Sequence, residues 1–60
     1  MAEFFNVEKQ NGICVDDHLT YDEAFERARE LSGGDRPMYI RQFEVDRKGV
    51  EKDCGVITIV

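Results

Sequence analysis

A chain of 60 residues forms one small domain, and a fold of that size buries only about 60% of the surface its unfolded form exposes. A core so small has little room for an enclosed small-molecule pocket of roughly 300 Å³ or more, which puts a compact binding module ahead of an enzyme. Thirteen acids against eight lysines and arginines give a net charge of −5, which disfavours direct contact with nucleic acid or an anionic membrane, since both call for a basic patch.

Residues 3–9, Glu-Phe-Phe-Asn-Val-Glu-Lys, read as a first strand. Asn11-Gly12 is a strong hairpin signal, because a two-residue type I′ turn needs positive φ at both central positions. Ile13-Cys14-Val15 is then a short return strand, with Glu8 opposite Val15 and Lys9 opposite Cys14. That register places Phe5, Val7 and Cys14 on one face and Phe4, Ile13 and Val15 on the other. Asp16-Asp17-His18 reads as a polar connection.

The helix that follows carries the clearest signals in the chain. Thr20 is placed to cap it, and Glu23, three residues on, to complete a capping box. Tyr21, Ala24, Phe25, Ala28 and Leu31 recur at helical spacing as one apolar stripe. Gly33 or Gly34 is expected to supply the left-handed residue that ends it, and Pro37 bars continuation. Residues 38–46 read as the longest strand. Met38 and Ile40 point one way there and Phe43 and Val45 the other, which a bulge or strong bend near Arg41-Gln42 would reconcile. Asp46-Arg47-Lys48-Gly49 has the residues of a tight turn, and Val50–Val60 holds a last strand, interrupted near Cys54-Gly55. The order β-β-α-β-β predicts an α+β, two-layer single domain over residues 1–60. One helix would pack on one face of a four-stranded antiparallel sheet.

Targeting signals are few. The start Met-Ala-Glu-Phe-Phe lacks the basic, then apolar, character of a secretory leader, and Gly-Val-Ile-Thr-Ile-Val is too short to span a bilayer. Cys14 and Cys54 are expected to be reduced and half-buried in strands; a disulfide between them requires the second and fourth strands to be neighbours. These features together predict a cytoplasmic protein.

Candidate sites are weighed against plainer roles. Asp16-Asp17-His18 superficially suggests a metal or acid–base site, but three consecutive residues rarely give ligand geometry, and negative charge before a helix suits its dipole. No metal or cofactor is expected. Neither cysteine has a base at a spacing that marks a nucleophile, and Gly33-Gly34 follows a helix where a phosphate-binding loop would precede one.

Acidic patterning is more informative. Residues 1–35 hold nine acids against Lys9, Arg27 and Arg29, whereas residues 36–60 hold four acids against five bases. Asp22, Glu26 and Glu30 recur every fourth residue along one helix face, with Asp16 and Asp17 just upstream. Like charges four apart cost an isolated helix roughly 0.2–0.5 kcal/mol per pair, and Glu30 in the last turn also opposes the dipole. A stripe that the helix would be better without marks a surface kept for a partner. These five acids therefore predict a non-enzymatic inhibitor that occupies the basic, nucleic-acid-binding surface of a larger protein. Small acidic inhibitors made by phages and other mobile elements, anti-CRISPR proteins among them, have this general character; the likeness is one of class, with no motif behind it. The alternative is an assembly module that homodimerises through an apolar sheet face bearing Phe4, Ile13 and Val15.

Overall fold

The computed structural model describes residues 2–60. Strand β1 (Ala2–Lys9) turns into β2 (Cys14–Leu19), helix α1 (Tyr21–Leu31) follows, and β3 (Met38–Val45) and β4 (Glu51–Ile59) form a second hairpin. The strands make one antiparallel sheet in the order β2-β1-β3-β4, so the two hairpins join through their first strands and the predicted α+β architecture is observed.

Helix α1 begins as its sequence requires. The Thr20 hydroxyl accepts the Glu23 N–H at 3.2 Å, and the Thr20 N–H donates to the Glu23 carboxylate at 3.0 Å. Its ending differs from the expectation. Ser32 turns extended, at φ −79° and ψ 155°, and closes the last turn by donating its N–H to the Ala28 carbonyl. Gly34 is left-handed, at φ 56°, but it serves a separate tight turn in which Gly33 and Arg36 exchange backbone hydrogen bonds.

The helix crosses β1, β2 and β3. Ala24 and Ala28 are fully buried, and without bulk beyond Cβ they let the helix settle onto Val7 and Ile40, which are also fully buried. Phe5 and Met38 complete the core; Val15, Leu19, Phe25 and Val60 pack around it. Tyr21 sets its ring edge-on to Phe5, while Leu31, the last residue of the predicted stripe, remains exposed.

Both hairpin loops share one design, and this corrects the first register. Lys9 N–H donates to the Ile13 carbonyl and Gly12 N–H to the Lys9 carbonyl, so Gln10-Asn11-Gly12 form a three-residue loop with Gly12 at φ 89°. Asp46 and Val50 close the second loop in the same way around Gly49, at φ 82°. A glycine at positive φ after a tight turn is the mark of this bulged loop, and the extra residue moves the pairing by one. Glu8 therefore faces Cys14 rather than Val15.

Ladder β1–β3 runs without interruption from Ala2↔Val45 to Lys9↔Met38, so β3 itself carries no extra residue; the irregularity expected near Arg41-Gln42 lies on its other side, where pairing with β4 shifts between Ile40 and Arg41 and between Gln42 and Phe43. β3 simply buries its two ends on opposite faces: Met38 and Ile40 under the helix, Phe43 and Val45 behind it. Irregularity falls on the outer strands. β4 has an extra residue at Ile57 and another at Cys54, and β2 has one at Val15 and one between Asp16 and Leu19.

Candidate functional site

Three places bear on function: the outer face of α1, the sheet face behind it, and an open groove at the end of the helix. On α1, Asp22, Glu26 and Glu30 are exposed and follow one another a turn apart. Arg27, one turn after Glu23, turns away from it, toward Asp16 at 3.6 Å and Glu30 at 3.2 Å. Asp16 is thereby tied to the helix flank. Asp17 belongs to the opposite side of the sheet, where its carboxylate sits 3.4 Å from His18 Nδ1. The five predicted acids thus do not form one surface. Asp22, Glu26 and Glu30 stay together, Asp16 adjoins them as a partner of Arg27, and Asp17 is separate.

The Asp16-Asp17-His18 segment is strand rather than connection. His18 takes a left-handed φ of 55°, its N–H donates to the Asn6 side-chain oxygen at 3.2 Å, and its ring stacks on Phe4 at 4.1 Å. Phe4 in turn stacks on Phe43 at 4.9 Å, and the planes differ by only 11° and 7° along the row. Three rings therefore stand face to face from β2 across β1 to β3. A row of that kind turns ring edges outward and buries its central face, so Phe4 is no platform for a stacked base. Its effect is to pin β2, whose hydroxyl-free acidic stretch has few other reasons to be strand.

Beside the stack, Arg41 donates to both oxygens of Glu8 at 3.2 Å and to both oxygens of Asp53 at 3.0 Å. The Gly55 N–H and then the Arg41 guanidinium hold the Asp53 carboxyl below its ordinary range, and Asp53 and Glu8 hold the Arg41 guanidinium above its own. This network occupies the middle of the sheet face and makes a dry face-to-face dimer unfavourable, because docking would strip water from three charges.

The predicted dimer face is itself dispersed. Phe4 lies behind the sheet under the ring stack, Val15 packs against the core beneath the helix, and Ile13 sits exposed at the hairpin loop. The one-residue change of register in the first loop is the cause, since it turns Val15 inward. The apolar side chains that share the back face, by pairing, are Phe4 with Phe43 and Tyr39 with Ile59, together with Val45 and with Val56 opposite Arg41.

Both cysteines are free and exposed, not half-buried, and they occupy opposite edges of the sheet, which separates them by two strands. Residual burial raises each thiol above its ordinary pKa, so neither is an activated nucleophile. Among the described residues no group of three or more His, Cys, Asp or Glu side chains is placed to hold a metal ion. The groove, about 840 Å³ and open to solvent, lies between the first hairpin loop and the helix end; Lys9, Arg27 and Arg36 rim it, and Val15, Leu31 and Met38 line it. Asp35 is its single carboxylate, with no histidine, serine or cysteine beside it to form an acid–base couple. Among the described residues no helix is long and apolar enough to cross a membrane. Neither a protein-family model, nor a curated protein, nor a solved structure matches the chain.

Proposed function

We propose that this chain is a non-enzymatic protein-binding module that sets the acidic outer face of α1 against a basic, nucleic-acid-binding surface of a larger protein, in the manner of a small inhibitor. One observation carries the reading: Asp22, Glu26 and Glu30 are exposed in a row, while Arg27 is drawn sideways to Asp16 and pairs within the row with Glu30 alone. Among the described residues no ion pair reaches Asp22 or Glu26, although Arg29 flanks Glu26 and Glu30. Such a surface speeds encounter with a basic partner and selects it by charge.

The test is affinity capture from nuclease-treated lysate at low and high salt, with the wild type beside an Asp22→Lys, Glu26→Lys, Glu30→Lys variant whose fold is checked by circular dichroism. A partner held by the wild type, weakened by salt and lost from the variant is the expected result. Equal capture by both proteins overturns the reading.

A further inference from the structure

We propose that the open groove at the end of α1 is a binding site for a small amphipathic anion, an apolar body bearing one carboxylate. The groove exists because the sheet outruns the helix. β1 and β3 stay paired as far as Lys9↔Met38, whereas α1 stops at Leu31 and the chain returns to β3 through residues 32–37. Two apolar side chains are left without a lid there. Val15, turned inward by the three-residue loop, is half-buried, and Leu31, the last residue of the helix stripe, is 36% exposed. With Pro37 and the buried Met38 they make an apolar floor. The volume, about 840 Å³, falls within the roughly 300–1,000 Å³ of small-molecule sites.

Charge selects the class of ligand. Lys9 and Arg27 are two of the three bases among residues 1–35, and Arg36 is the next base along the chain. They come from β1, from α1 and from the turn that Gly33 and Arg36 close, yet all three line this one groove, against the single carboxylate of Asp35. Lys9 reaches this side of the sheet by alternation, since Phe5 and Val7 before it belong to the core under the helix. Lys9 and Arg36 enter no ion pair among the described residues. Arg27 gives Nε and Nη1 to Asp16 and Glu30, which lie outside the lining, and its Nη2 has no hydrogen-bond partner among the described residues. The helix end turns partial negative charge this way, but Ser32 covers two of the last carbonyls, Ala28 with its N–H at 2.8 Å and Arg29 with its hydroxyl at 3.4 Å. A cation would be repelled by the three bases, and a neutral apolar molecule would leave them unused. A carboxylate on an apolar body uses both the rim and the floor. The site needs neither Asp22 nor Glu26, so the proposal is independent of whether α1 has a partner.

Magnetic resonance titration of the full chain with decanoate, decan-1-ol and decylammonium, which share one alkyl chain, tests it below the concentrations at which they form micelles. Decanoate is expected to bind saturably and to move the backbone signals of Lys9, Val15, Leu31 and Arg36. Decylammonium should bind about fivefold more weakly or worse, the scale set by two exposed charge contacts. A Lys9→Gln, Arg36→Gln variant should lose about fivefold in affinity for decanoate and keep its affinity for decan-1-ol. Asp35→Asn should tighten decanoate, and added salt should weaken decanoate but not decan-1-ol. Leu31→Ser, at an exposed position, should weaken all three probes while circular dichroism stays that of the wild type. Equal affinity for the three probes overturns the proposal, because the cations would then select nothing. So does decanoate binding that the double variant retains in full, a response centred on Tyr39 and Val56 behind the sheet, or the absence of saturable binding by decanoate.

Discussion

β2 and β4 are the two free margins of the same sheet, and each departs twice from regular pairing with its neighbour, whereas the central ladder is unbroken. Bulges are one of the devices by which edge strands resist pairing with other chains. Having them in common, the two margins differ in everything else. β2 carries Asp16 and Asp17, lies partly under α1, and is fastened by the His18–Phe4 stack and by the Arg27–Asp16 pair. β4 has β-branched residues where β2 has acids, and beyond the β3 ladder it is held by the Tyr21–Thr58 bond and the Arg41–Asp53 pair. The contrast teaches that guarding an edge takes charge and cover as well as irregular pairing, and that the chain applies all three to one margin alone.

The strongest way to break the contrast is to remove what fastens β2. Phe4→Ala deletes the middle ring of the stack and is expected to destabilise the fold by about 3–5 kcal/mol, the usual range for losing a buried phenylalanine. In a domain this small that is a large share of the total, and thermal denaturation should show it as a fall in Tm well beyond 10 °C, at ~4–8 °C per kcal/mol. Hydrogen exchange on the variant should open β2 amides first; earlier opening of β4 would reverse the ranking of the margins.

A smaller effect is expected from Thr20→Ala, which removes the cap of the helix that covers β2. Chemical denaturation should register a loss of about 0.5–2 kcal/mol. Smaller again is Tyr21→Phe. The lost hydroxyl bond to Thr58 is exposed, so a fall of about 0.5 kcal/mol is expected, with faster exchange confined to β4. Unchanged exchange at Thr58 and Ile59 would show that the bond does not fasten β4.

Acid titration gives the subtlest comparison. Because the folded-state pKa of Asp53 is lowered, its contribution to stability is complete above the ordinary carboxylate pKa and is lost as the pH falls through the lower folded value. Wild type should therefore exceed Asp53→Asn in stability by a constant margin near neutral pH, and the two curves should converge in strong acid. Parallel curves down to the lowest pH would remove Asp53 from the account of β4.

What the sequence disclosed follows the same division. The start of helix α1 was legible to the residue because its capping box is local, whereas its end at Ser32 was not, and the β-β-α-β-β order was legible because Asp46 to Gly49 and Asn11-Gly12 are unmistakable as turns. Asn11-Gly12 is compatible with a two-residue turn and a three-residue one; what decides is Val15, which gains burial beneath the helix only in the longer form. β2 was hidden for a related reason. Acids next to a lone histidine have loop character, and the partners that make them strand, Phe4, Asn6 and Arg27, are distant in sequence. Of the acidic surface, Asp22, Glu26 and Glu30 followed from helical spacing, but the separation of Asp17 could not, since it depends on β2 being a strand.

His18 is the single histidine of the chain, and it lies 4.1 Å from the face of a phenyl ring. Aromatic ring currents shield nuclei held above a ring face, so the carbon-bound protons of this imidazole should resonate upfield of a free histidine. Their shift, read in a carbon-correlated spectrum, then reports continuously on whether β2 is seated. The margin with the most fastenings thus carries its own spectroscopic gauge.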